Sequence, residues 1–190
     1  MDKAVALLRE KGLAAAAKKA SRIAAEGIVE AYVDEKANLG VLVEVNAETD
    51  FVAKNAEFQN FVKGCAVTIA KQNPASVEAL LEMPYDGDER TVGDNLRDKI
   101  LTIGENMTIR RFERYEGAVV TYLHGGGKIG VMVAFDADPA LMGNEKFVAM
   151  GKDVAMQIAA MNAPYLNRES VPADIIEKEK EILTAQAINE

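Results

Sequence analysis

One cysteine, one histidine and five prolines are all that 190 residues contain of these types. Cys65 alone closes no disulfide within the chain and builds no cysteine metal site. It stands at helical spacing with Phe58, Phe61 and Ile69, the position of an inert core thiol rather than a nucleophile. His124 has no second histidine beside it, no Cys/His pair exists, and no cluster of metal ligands stands out. No metal, no cofactor and no enzymatic chemistry are therefore expected, and the many carboxylates read as solvated helix faces. Long apolar runs are missing too. None approaches the roughly 18 residues that a membrane span requires. The N-terminal MDKAVALLREKG is charged and amphipathic, unlike the apolar stretch of a secretory signal. A soluble, cytoplasmic protein with no membrane partner is expected. Positive charge is also short, with 22 Lys and Arg against 30 Asp and Glu, a net charge of −8 and a pI near 4.9. That balance opposes non-specific binding to nucleic acid, and no direct nucleic-acid partner is expected. The local exception, residues 3–22, is rich in Lys and Arg and also reads as a solvated helix face.

What the chain has in quantity is apolar residues, 49% of the total, enough to bury a real core, and one pattern written twice. Gly27, Val29, Tyr32, Gly40, Val41, Val43 and Asn46-Ala47-Glu48 return as Gly117, Val119, Tyr122, Gly130, Val131, Val133 and Asp136-Ala137-Asp138, every pair 90 residues apart. The match continues without a gap through Ala70 and Ala160 to Pro74 and Pro164.

Each copy reads as strand, strand, helix. Branched and aromatic residues alternate over Ile28 to Val33 and Leu39 to Val45, around the turn-like Asp34-Glu35-Lys36-Ala37-Asn38. In the second copy the strands are Ala118 to Leu123 and Ile129 to Phe135, and the turn His124-Gly125-Gly126-Gly127-Lys128 has glycines suited to positive φ. Phe58, Phe61, Val62, Cys65, Ala66, Ile69 and Ala70 then predict an amphipathic helix stopped by Pro74. Phe147, Gly151, Val154, Ala155 and Ile158 predict its counterpart, with Asn144 as N-cap and Pro164 beyond the end. Between the copies, Met107, Ile109 and Phe112 predict a strand completing the first sheet, with Arg110, Arg111 and Arg114 toward solvent. Residues 73–94 read as a short helix in a loop-rich, mobile connection. Residues 3–25 read as one or two Ala-rich helices broken near Gly12. Pro172 to Ile188 reads as a helix with Ile175, Ile176, Ile182 and Leu183 on an apolar stripe. The fold class is α+β: two related subdomains, each an antiparallel β-hairpin-containing sheet packed on helices, plus N- and C-terminal helices.

By position alone, Phe51 lies seven residues before Phe58, in register with the buried stripe, and reads as a core aromatic. Thr49 or Asp50, just before a helix, reads as an N-cap. His124 reads as a solvated turn residue. The glycines and Lys128 lack the G-x-x-x-x-G-K-[ST] spacing and lead into a strand, so they make no phosphate cradle.

The stretch Val43-Glu44-Val45-Asn46-Ala47-Glu48-Thr49-Asp50-Phe51-Val52-Ala53-Lys54-Asn55 resembles the signature of the elongation factor Ts family, most specifically over Thr49 to Asn55. Gly104-Glu105-Asn106-Met107-Thr108-Ile109-Arg110-Arg111 resembles a second family motif, and Tyr122-Leu123-His124-Gly125 followed by Ile129-Gly130-Val131 a third. The resemblance covers nearly the whole chain. It implies guanine-nucleotide exchange on GDP-bound elongation factor Tu, with the residues matching Asp50 and Phe51 entering the GTPase near its nucleotide and magnesium site. Thr49, Val52, Ala53, Lys54 and Asn55 belong to the same contact, and His124 faces another part of the partner. A binding-only module that docks on the GTPase without efficient exchange is the alternative.

The duplication sets the domain bounds, and the two-subdomain core of the family agrees with it: an N-terminal helical remnant at 1–25, a first core subdomain at 26–115, and a second core subdomain with the start of a C-terminal helix at 116–190. Family members usually begin with a three-helix domain, of which Met1 to Gly12 looks like the last helix. Truncation at the N-terminal domain and at the C-terminus is therefore expected, and a homodimer is possible, as some shorter members form one.

Overall fold

Alternating branched residues become paired strands wherever the sequence predicts them in the computed structural model, which describes residues 2–189. Strands β1 (Glu26–Asp34) and β2 (Leu39–Ala47) form an antiparallel hairpin, and β3 (Met107–Glu116) pairs with β2 on its other side, giving the sheet order β1-β2-β3. Strands β4 (Ala118–His124) and β5 (Ile129–Phe135) form a second, two-stranded sheet. The two hairpins share one register, Tyr32 opposite Val41 in the first and Tyr122 opposite Val131 in the second. Among the described residues seven α-helices accompany them: α1 (Asp2–Lys19), α2 (Asp50–Ala53), α3 (Ala56–Gln72), α4 (Val77–Glu82), α5 (Val92–Ile103), α6 (Glu145–Met161) and α7 (Ala173–Asn189). The fold is α+β, with small antiparallel sheets packed on helices.

The core is built on the inward face of α3. Phe58, Phe61, Val62, Cys65, Ala66 and Ile69 are buried on Val41, Val43 and Val45 of β2, together with Leu80, Ile100, Met107 and Ile109. Each large side chain removed from water contributes about 1.5–3 kcal/mol. Tyr85 stacks on Phe61, and its hydroxyl, donating to the carbonyls of Asn60 and Phe61, is pushed up to about 12 by burial. Burial likewise pushes the Cys65 thiol up, which leaves it unreactive.

The hairpins also pack on each other, and they do so reciprocally. A Cβ added at Gly40 would meet Val119 Cγ1 at 2.6 Å, and one added at Gly130 would meet Val29 Cγ1 at 2.4 Å. Gly40 and Gly130 are repeat partners, and so are Val29 and Val119. Each copy thus fits its valine over the other's glycine, the self-complementary contact of a two-fold interface held within one chain. The backbone joins in as well: the Val29 N–H donates to the Gly127 carbonyl at 2.8 Å and the Gly117 N–H to the Asn38 carbonyl at 2.7 Å.

The structure corrects four expectations. Helix α1 is not broken at Gly12, which is buried next to Arg97 of α5, so packing carries the helix through. Arg114 does not join Arg110 and Arg111 in solvent: its side chain is 14% exposed, and its Nε donates to the Ala70 carbonyl at 3.3 Å. The cause is a bulge. Val45 pairs with Ile109 but Glu44 with Arg111, so Arg110 is an extra residue, and beyond it Phe112 and Arg114 take the inward positions. The sequence reading assigns no helix to 92–103, yet Thr91 caps α5 by accepting from the Asp94 N–H, and Gly104 ends it at φ 90. In α6, Val154 stays exposed while Gly151 and Ala155 are buried, and at Gly151 the close approach to Val120 of β4 leaves no room for a Cβ.

Two compact units divide the chain, Met1–Ala159 and Ala160–Glu190. Within the second, the Asn167 side chain and Ser170 cap a short 3-10 turn in both directions, and α7 comes after Pro172 as the sequence predicts.

Two outcomes are expected. Gly40→Ala and Gly130→Ala each force a methyl into a valine and should each lower stability by about 1–3 kcal/mol in urea unfolding. Arg90, donating to Asp88 from its side chain and its backbone N–H, holds the Asp88 carboxyl at about 2, below the ordinary 3.8. A depressed carboxyl stabilises fully above its ordinary value, and that contribution is lost as pH falls from 3.8 toward about 2. Asp88→Asn should flatten that part of the acid unfolding curve.

Candidate functional site

Strand β2 runs into a tight corner that carries the candidate residues. Thr49 is extended at φ −127 and ψ 156, Asp50 to Ala53 make the single turn of α2, and Lys54 and Asn55 lead into α3. Val52 and Ala53 are buried and anchor the turn from below. Phe51, between Asp50 and that anchor, is 80% exposed. Its seven-residue spacing to Phe58 does not make it a core residue, because Asn55 is extended at φ −73 and ψ 129 and separates the two helices. The helical register therefore does not cross it.

The N-cap reading of Thr49 holds for its position ahead of α2 and fails for its side chain. Asn55 is the residue that caps α3, accepting from the N–H groups of Glu57 at 2.8 Å and Phe58 at 3.2 Å. Thr49 makes no side-chain cap to α2 because its hydroxyl donates to Glu105 Oε1 at 2.7 Å, while its N–H donates to Oε2 at 3.0 Å. A second carboxylate closes the same junction from the other side: Glu48 Oε1 accepts from the Asn106 N–H at 2.6 Å. The Asn106 side-chain amide donates in turn to the Arg22 carbonyl at 2.7 Å, and the Arg22 guanidinium reaches Glu48 at 3.5 Å.

Asp50 accepts from Lys54 Nζ at 2.7 Å. That hydrogen bond and charge hold its carboxyl below the usual range, and the charge of Lys128 adds to the effect. Lys128 itself pairs with Glu26. The turn of the second hairpin thus brings positive charge toward the corner, although the candidate in that turn, His124, bonds elsewhere. His124 is exposed at the end of β4, and its Nδ1 shares a hydrogen bond of 2.9 Å with the Tyr122 hydroxyl.

The repeat supplies an internal comparison. At the positions of Thr49 to Ala53 the second copy has Pro139 to Gly143, a 3-10 turn. Leu141 replaces Phe51 and is 39% exposed, while Ala140 stands in place of Asp50. Only the first copy joins a carboxylate to an exposed aromatic ring. Among the described residues no group of three or more His, Cys, Asp or Glu side chains is placed to hold a metal, and no helix is long and apolar enough to cross a membrane.

Glu48, Glu105 and Asn106 lie within motifs of the sequence and Lys128 in the turn of the second hairpin, yet sequence reasoning gives none of them a role. Glu105 and Asn106 meet their partners across 56 and 58 residues, so no local spacing reveals them.

Residues 48–190 match the family model described as elongation factor TS. The chain is 49% identical over 191 residues to an elongation factor Ts of Syntrophotalea carbinolica, an alignment covering 99% of this chain and 62% of that protein. It is 52% identical to one of Trichlorobacter lovleyi, covering 98% of this chain and 62% of the relative. It is 51% identical to one of Clostridium perfringens, covering 100% and 62%. The chain thus spans about 62% of the length of the curated relatives it matches.

Lys54→Met removes the main cause of the Asp50 shift, so NMR titration should show the Asp50 carboxyl rising toward its ordinary 3.8. Asn55→Ala leaves two N–H groups of α3 without their acceptor and should cost about 0.5–2 kcal/mol in thermal unfolding.

Proposed function

Since the chain belongs to the elongation factor Ts family, we propose that it promotes release of GDP from elongation factor Tu by placing the Asp50-Phe51 corner at the nucleotide and magnesium site. The observation that carries this reading is the exposure of Phe51, 80% in water at the tip of a turn whose next two residues are buried. An aromatic ring held outward is suited to enter a groove on a partner and repack it. A carboxylate beside it suits the second half of the task, because magnesium demands near-octahedral oxygen geometry and is easily disturbed by a competing charge. Thr49 and Lys54 shape the corner, Val52 and Ala53 seat it, and Asn55 starts the helix behind it. The second hairpin offers His124 to a different surface of the GTPase.

No bond is made or broken in this scheme, so the chain acts by binding and not as an enzyme. Exchanger and GDP weaken each other by the same factor, a coupling typically of about 1–3 kcal/mol. The duplicated halves, 26–115 and 116–190, divide the work: the first carries the wedge and the second adds docking surface. The reading makes the protein cytosolic, where its GTPase partner works.

Release of a fluorescent GDP from elongation factor Tu tests the reading. The chain should accelerate release, and Phe51→Ala and Asp50→Ala should each slow it while leaving the circular dichroism spectrum nearly unchanged, since neither residue is in the core. Binding without acceleration selects the docking-only alternative. Equal release with and without the chain at high concentration contradicts the proposal.

A further inference from the structure

The turn between α5 and β3 lies far from the corner in sequence and touches it in space. Glu105 accepts from both donors of Thr49, the hydroxyl at 2.7 Å and the N–H at 3.0 Å, so a single carboxylate fixes both the backbone and the side chain of one residue. Asn106, buried, returns the contact by donating its N–H to Glu48, the residue before Thr49. Two adjacent residues of one segment are thus bonded to two adjacent residues of the other. Carboxylate acceptors make the stronger kind of hydrogen bond, and the half-burial of Glu48, Thr49 and Glu105 limits competition from water.

The clamp bears on the residues just downstream of Thr49. Phe51 is two residues further on and gains little from packing in its own subunit, so its direction is set by the backbone that enters α2. That backbone begins at Thr49. The clamp is the nearest fixed point on the upstream side, as Val52 and Ala53 are on the downstream side.

We infer that Glu105 is a positioning residue for the corner: by holding Thr49 it orients the exposed ring of Phe51 before any partner is met. The inference rests on the exchange reading for its consequence in function, but not for its structural content. Pre-orienting a side chain lowers the ordering cost that its insertion would otherwise carry. Loss of Glu105 therefore acts through Phe51 and on the release step, more than on docking by the rest of the surface.

The test uses the full chain in two arms. The protein has no tryptophan, so Phe51→Trp introduces a sole tryptophan at the tip, which is excited selectively at wavelengths the tyrosines do not absorb. In that background Glu105→Ala should lower the tryptophan anisotropy, and Glu105→Gln, which keeps a carbonyl acceptor for Thr49, should retain most of it. In the second arm, Glu105→Ala should lower the maximal rate of GDP release from elongation factor Tu about tenfold, the scale of one charged hydrogen bond. The concentration for half-maximal effect should change less. Glu105→Gln should recover much of the rate, and Glu105→Ala should add nothing to Phe51→Ala. Unchanged anisotropy in Glu105→Ala overturns the inference, as does a Glu105→Ala effect that is just as large when Phe51 is already alanine. If the native chain fails to accelerate release, the exchange reading falls and the anisotropy arm alone decides the clamp.

Discussion

Leaving the ring of Phe51 80% exposed forgoes about 2 kcal/mol that burial of such a side chain would contribute. A corner with that ring at its tip cannot be fixed by the ring itself, so its geometry has to come from its neighbours. Three sets of contacts supply it. Val52 and Ala53 enter the core, Asn55 caps the next helix, and Glu105 with Glu48 binds the segment that precedes. Of these, the carboxylate clamp is the one that ties the corner by hydrogen bonds to a distant part of the chain. It explains why a motif around Thr49 and a motif around Glu105 sit in one protein: they are two sides of one junction.

Behind the corner stands a scaffold with internal symmetry. Val29 over Gly130 and Val119 over Gly40 lock the two hairpins together, and the matching registers of the two copies make the contact reciprocal. Both copies share one frame and differ at its tip. The first copy keeps Asp50 and Phe51 on its corner, whereas the second has Ala140 and Leu141 there. One symmetric frame therefore carries one specialised tip.

Much of this was legible from residues alone. Period-2 alternation located both hairpins, the 3.6-residue stripe located α3, and the constant offset between copies foretold their shared register. The misreadings have physical causes. A bulge at Arg110 inverted the parity of β3, which turned Arg114 inward. Helix α1 ran through Gly12 because packing on α5 outweighs a single unfavourable residue. Phe51 was in register with the core only if one helix ran from 51 to 58, and Asn55 interrupts it. The clamp was hidden because hydrogen bonds across 56 residues leave no periodic trace. Family resemblance is what singles out the corner as a candidate, and the structure shows its exposure.

Exchange by this route requires the ring at position 51 to enter the nucleotide-binding site of elongation factor Tu. Photo-crosslinking from benzoylphenylalanine placed at position 51, with the crosslinked peptide located by mass spectrometry, is the sharpest check on that entry. Crosslinks are expected to segments that line the nucleotide and magnesium site, with a yield that falls as GDP is added in excess. Crosslinks confined to a surface remote from that site, with a yield indifferent to GDP, would refute it.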